Sequence, residues 1–135
     1  MLFSAMFCAF SLMAQYEDYM GEFSVDGINY NIIGENSVEV TDDYEAYSGD
    51  LIIPAAVSYG GVTYSVTAIG ESAFEDCSKL TSVSIPNSVL TIYENAFAEC
   101  TKLVSLHIPA SVKKIHELAV YGCSSLTSIP VASGN

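Results

Sequence analysis

Three cysteines recur at an interval that invites a chemical reading. Cys77, Cys100 and Cys123 each fall 23 residues after the last, in the related fragments AFEDC, AFAEC and AVYGC. Regular sulfur can mean a metal site, a disulfide set or a packing column. The metal reading lacks support, because no C-x-x-C and no histidine cluster with zinc spacing is present. Three column cysteines cannot all pair within one chain. In a stacked structure they would also point the same way, whereas a disulfide needs its Cβ vectors turned toward each other. Cysteine is among the most frequently buried residues and packs as a small hydrophobe. The expectation is therefore three buried free thiols.

Other reactive side chains are sparse. Glu71, Glu94 and Glu117 form a second column at the same interval. They could line up to hold a cation. Alternatively, each opens a short helical turn, where a carboxylate meets free N–H groups. Lys79 and Lys102 would then sit past the far end of the turn, where a cation is favoured. Asp42 and Asp43 are adjacent, but lie in a polar, turn-like stretch without the cleft that paired acids need. No G-x-S-x-G, phosphate-cradling loop or H-E-x-x-H is found. An enzyme is not expected, and neither is a cofactor or a metal.

The elements that position these residues follow from the repeat. LTSVSIPNSVLTIYENAFAECTK (80–102) aligns with LVSLHIPASVKKIHELAVYGCSS (103–125). Leu80, Leu103 and Leu126 form one column; Val83, Leu106 and Ile129 form another. Ile85 and Ile108 precede Pro86 and Pro109, and Ile92 matches Ile115. Val66, Ile69, Ala73, Phe74 and Cys77 fit the same columns, as does LIIP at 51–54 when nine extra residues are allowed. Those extra residues contain Gly60-Gly61, a hairpin signal. The alternation in TSVSI turns Val83 and Ile85 inward and Ser82 and Ser84 outward. Pro86, without an N–H, ends that strand. ENAFAEC reads as a short helical turn with Ala96 and Phe97 inward. One such unit cannot bury its apolar side alone, and stacking units about 4.8 Å apart makes a continuous core.

The unit L-x-x-V/L-x-I-P-x-S-V-x-x-I-x-x-x-A-F/V-x-x-C-x-x resembles the BspA-type leucine-rich repeat family, over roughly residues 51–131. The resemblance implies an α/β solenoid dominated by β-structure: a short right-handed coil with short helical turns. Its units would be 51–79 with the hairpin insertion, 80–102, 103–125 and a partial 126–135. Residues 15–50 are similar to the lead-in common before such repeats and are expected to form an acidic β-hairpin cap. Within it EFSVDGINYNI reads as a hairpin about Asp26-Gly27, a pair suited to a type I′ turn. SVEV at 37–40 is a further strand.

In leucine-rich repeats the strand face is the usual recognition surface. Its outward positions here are Thr81, Ser82 and Ser84, then Val104, Ser105 and His107, then Thr127 and Ser128. Small hydroxyls are equally what a solvated strand carries, so both readings stand. His107 is the one side chain among them that can report on pH. His116 belongs to a different wall. Tyrosines gather before Ala68; β-propensity accounts for several of them, and Tyr44, Tyr47 and Tyr59 are the candidates for exposed binding contacts of the cap.

Charge narrows the partners. Sixteen acids against four Lys+Arg give a formal net charge of -12, which repels phosphate backbones and anionic membrane surfaces. Nucleic acid is not expected as a partner. Residues 1–14, MLFSAMFCAFSLMA, carry no charge. The run is shorter than the about 20 residues a membrane span takes. It matches the apolar region of a secretory signal peptide without the basic n-region, with a cut after Ala14. The resemblance implies a secreted or cell-surface protein that binds host, matrix or cell-surface proteins, with glycans as a further possibility, and that serves adhesion. The alternatives are a structural spacer within a larger surface protein or a glycan-binding module.

Overall fold

The computed structural model describes residues 21–43, 46–127 and 129–130. The segment 1–14, Tyr44 and Ser128 therefore lie outside the described residues. Ten strands form among those described: β1 (Glu22–Val25), β2 (Ile28–Gly34), β3 (Ser37–Thr41), β4 (Ser48–Ile52), β5 (Ala56–Tyr59), β6 (Val62–Ile69), β7 (Lys79–Ser84), β8 (Thr91–Ile92), β9 (Ser105–His107) and β10 (Lys114–Ile115).

Each repeat closes a loop with three walls. One wall is a strand of the three-stranded parallel sheet β4-β7-β9. The second is a strand of the larger sheet, where β6, β8 and β10 run parallel. The third wall, over 71–76, 94–99 and 117–122, is a chain of turns. Equivalent residues pair directly: Val83 lies beside Leu51 and Leu106, and Ile92 beside Ile69 and Ile115.

The larger sheet continues at the N-terminal end. β3 pairs parallel with β6, placing Val38 beside Val66 and Val40 beside Ile69. β1 and β2 extend it as an antiparallel hairpin. The turn uses Asp26 and Gly27 at φ 51° and 80°, both positive as a type I′ turn requires. β5 and β6 form the inserted hairpin about Gly60 and Gly61. Gly70 lies close against β3. A Cβ there would sit 2.7 Å from the Val40 carbonyl oxygen, which accepts the Gly70 N–H at 2.8 Å. The same column holds Tyr93 and His116 in later coils.

The third wall departs from the sequence expectation of helical turns. No helix forms among the described residues. Ser72 and Asp76, Asn95 and Glu99, and Leu118 and Gly122 all have positive φ, between 55° and 75°. A right-handed helix cannot accommodate these residues. The reason lies in the donors. Ser72, Phe74 and Asp76 donate their N–H groups to the carbonyls of Glu94, Ala96 and Ala98 in the next coil, at 3.0, 2.7 and 2.9 Å. Ala73, Glu75 and Cys77 donate locally to Gly70, Ser72 and Phe74. Alternate amides thus serve the neighbouring coil, whereas a helix would keep every amide for itself. The dipole account of the Glu71, Glu94 and Glu117 column falls with the helix. All three carboxylates are exposed on this wall.

The core is a set of like-on-like stacks. Tyr47, Phe74 and Phe97 form an aromatic spine, with ring centroids 4.8 and 5.0 Å apart. Leu80 and Leu103 are fully buried, and Leu126 packs partly buried against the same core. Burial depends on having a coil on both sides. Ile69 and Ile92 are 0% and 1% exposed, whereas Ile115 in the same column is 48% exposed.

Two substitutions separate packing from backbone strain. Phe97→Ala should destabilise by about 3–5 kcal/mol, a large share of the ~5–15 kcal/mol typical of a domain. Leu118 is half-exposed and holds a left-handed conformation at φ 60°, which disfavours a leucine by about 1–2 kcal/mol. Leu118→Asn, matching Asn95, should raise the unfolding midpoint in a urea titration. An unchanged or lower midpoint would show that the leucine side chain is needed there.

Candidate functional site: the outer face of the three-stranded sheet

The sheet β4-β7-β9 turns Leu51, Val83 and Leu106 inward, so the residues between them face out. Register places Asp50, Ser82 and Ser105 in one row and Ile52, Ser84 and His107 in the next. The exposed Val104 adjoins the first row through its N–H, which donates to the Thr81 carbonyl at 2.9 Å. The structure thus brings together Thr81, Ser82, Ser84, Val104, Ser105 and His107 on one surface. Thr127 is exposed but belongs to no strand, so the described sheet does not carry the face into the partial fourth repeat. That repeat still packs on the core through the partly buried Leu126 and Ile129.

Two residues of this face were not singled out in the sequence. Asp50 had been grouped with the acidic N-terminal region. Its Oδ1 accepts from the Thr81 and Ser82 hydroxyls, each at 2.8 Å. Those two bonds, the one from Ser82 foremost, hold its carboxyl below the usual carboxylate range. Ile52 is 78% exposed, the most exposed of the large hydrophobics. The repeat pattern contained the signal for it: in LIIP, the middle residue occupies the outward position of Ser84 and His107.

The tyrosines expected at the cap divide. Tyr47 is buried, which contradicts its expected role as an exposed contact. Its ring sits on Phe74, and its hydroxyl donates to the Thr41 carbonyl at 2.7 Å while accepting the Asn29 N–H at 3.0 Å. It fills the place of the repeat phenylalanine before the first full coil. Tyr59 is 49% exposed. One of its ring faces lies flat against Phe23, with centroids 4.3 Å apart. His107 lies in β9, whereas His116 follows the end of β10 and stacks on Tyr93 at 5.0 Å.

The cysteine column is a set of pegs between coils. The Cys100 thiol donates to the Phe74 carbonyl and the Cys123 thiol to the Phe97 carbonyl, both at 3.0 Å. Cys77 and Cys100 are buried, Cys123 is half-buried, and all three are free. Burial raises each thiol above its ordinary value, Cys100 to about 12. None is poised as a nucleophile. Among the described residues no group of three or more His, Cys, Asp or Glu side chains is arranged to hold a metal ion, and no helix is long and apolar enough to cross a membrane.

Comparison with known proteins places this geometry. Residues 60–135 match the family model described as "BspA type Leucine rich repeat region (6 copies)". A leucine-rich repeat protein of Bacteroides ovatus ATCC 8483 is 40% identical, with a TM-score of 0.74 over 79% of this chain and 28% of its own. A leucine rich cell surface protein of Faecalibacterium prausnitzii A2-165 is 35% identical, with a TM-score of 0.70 over 81% of this chain and 30% of its own. A leucine-rich repeat protein of Bacteroides capillosus ATCC 29799 is 25% identical, with a TM-score of 0.59 over 84% of this chain and 99% of its own. The chain thus spans under a third of the length of the first two. No curated protein matches it significantly.

The buried thiols give a pH signature. Cys100 and the buried phenol of Tyr30 ordinarily ionise at 9.0 and 10.0, and both are raised to about 12 in the fold. The unfolded chain therefore loses these protons first as pH rises. The stability they contribute is fully present below pH 9 and is lost between about pH 9 and 12. Urea midpoints should fall steadily across that range. Peptide mapping after thiol labelling at pH 8 should find Cys100 modified only once the protein is unfolded. Fast native labelling of all three column cysteines would refute the packing assignment.

Proposed function

Since the chain belongs to the BspA-type leucine-rich repeat family, we propose that it is a secreted or cell-surface binding protein whose outer sheet face recognises other proteins in adhesion. Residues 1–14 act as its export signal in this reading, and residues 15–50 cover the N-terminal end of the coil. The cell-surface description of the Faecalibacterium relative supports the placement. The carrying observation is the face itself. It is rigid, because every strand is bonded to its neighbour. It is chemically mixed, with a fixed carboxylate at Asp50, hydroxyls at Ser84 and Ser105, His107, and apolar anchors at Ile52 and Val104. Such a surface binds by shape and hydrogen bonding, with no chemistry performed.

Its size sets the expected strength. Three strands at about 4.8 Å spacing and roughly 3.3 Å per residue present only about 200 Å². A stable protein interface takes about 800 Å² from each partner. This stretch alone therefore binds weakly, and tight adhesion comes from repetition of the face or of whole molecules on a surface.

The test is surface-immobilised chain against a panel of matrix proteins and glycans. Immobilisation at high density should give saturable binding that weakens sharply at low density. Ser105→Arg, His107→Glu and Ile52→Asp should each reduce it about tenfold or more, with unchanged circular dichroism. Binding indifferent to all three changes would move the site off the sheet. Absence of any binding would leave a spacer as the better reading.

A further inference from the structure

The two sheets are not extended equally at the N-terminal end. β1, β2 and β3 add to the larger sheet, whereas β4 is the terminal strand of the smaller one. No strand pairs its outer edge among the described residues. An open parallel edge is a template for an added extended chain.

A cleft of about 210 Å³ lies between this strand and the β1–β2 hairpin. Asp26, Ile28 and Tyr30 line it from the hairpin, and Leu51, Ile52 and Pro54 from the strand side. Tyr30 is fully buried, and its hydroxyl has no hydrogen-bond partner. Such an orphan costs free energy. Asp26 stands close enough to raise the pKa of this phenol, after burial itself, which raises it more. The other lining side chains, Val25, Ile28, Leu51, Ile52 and Pro54, are apolar.

The chemistry selects the occupant. The volume is below the roughly 300–1,000 Å³ of small-molecule pockets, and suits a single side chain. A purely apolar side chain would leave the phenol unpartnered. An anionic one would meet the Asp26 carboxylate and a chain of net charge -12. A lysine side chain satisfies both, with methylenes against apolar walls and an ammonium carrying three donors for two oxygen acceptors. We propose that this cleft binds a lysine side chain of an extended polypeptide that adds to the open edge of β4. This uses the edge of the strand rather than its outward rows, so it goes beyond the sheet-face reading; Ile52 alone belongs to both.

The test uses the full isotope-labelled chain, titrated by NMR with a blocked Thr-Val-Lys-Val-Thr peptide and its norleucine twin. The lysine peptide should shift the amides of Asp26, Ile28, Leu51 and Ile52 saturably, and the norleucine peptide should bind about tenfold more weakly or worse. Asp26→Asn keeps a turn that favours Asn-Gly and should weaken the lysine peptide by about tenfold. Tyr30→Phe removes the orphan hydroxyl, so it should weaken binding while leaving stability equal or higher. Equal binding of both peptides, or no saturable shift, would overturn the proposal. Shifts confined to Ser84, Ser105 and His107 would overturn it while leaving the sheet-face reading intact. Cleft shifts that grow with protein concentration alone would make a second copy the occupant and also overturn it. Saturable cleft binding by a chain that ignores every matrix protein would separate the two readings in the other direction.

Discussion

Backbone donors that a coil cannot satisfy within itself must find their acceptors one coil away, and that requirement shapes the rest of this molecule. On two walls the answer is a parallel ladder, and on the third it is the alternation of local and inter-coil amides. The coils can then be offset only by about one strand spacing. Each side chain is forced onto its counterpart in the next repeat. Aromatic rings stack on aromatic rings, leucines on leucines, and thiols bond to the carbonyls of the coil before them. A repeat of constant length is the sequence consequence of a constant circumference.

The same requirement explains the left-handed residues of the turn wall. Directing every second amide outward toward the next coil breaks the helical path, and two residues per repeat take positive φ in return. Asparagine and glycine adopt that conformation readily, and serine, aspartate and glutamate less so. Leu118 holds the same conformation with a large, half-exposed apolar side chain.

Ends are where a stacked protein is least determined. β3 occupies the place of a preceding strand in the larger sheet, and Tyr47 the place of a preceding phenylalanine in the spine. Among the described residues the smaller sheet receives no equivalent partner. That imbalance leaves the edge of β4 open, creates the cleft beside it, and isolates the Tyr30 hydroxyl. At the other end, among the described residues, β10 has a partner on one side only, and Ile115 is 48% exposed.

Much of this was legible in the residues. The columns of leucine, isoleucine and cysteine followed from alignment alone, as did the alternation that turns Ser82, Ser84, Ser105 and His107 outward. Asp-Gly and Gly-Gly marked turns correctly, since local φ preferences act over two residues. The turn wall was misread because AFAEC has helix-compatible composition, and nothing local says that its amides are claimed by another coil. Tyr47 was misread because the inserted hairpin hides its register with Phe74 and Phe97.

The sequence by itself determined the period, the inward and outward sets, and the membership of the repeat family, because these depend on spacing along the chain. Only the tertiary structure decided that Asp50 is held by two hydroxyls from a strand some thirty residues away, that Tyr47 is core, and that one phenol is left without a partner. Those outcomes depend on which groups meet across coils. Meeting across coils is set by the cooperative stacking of the whole set, not by any single repeat.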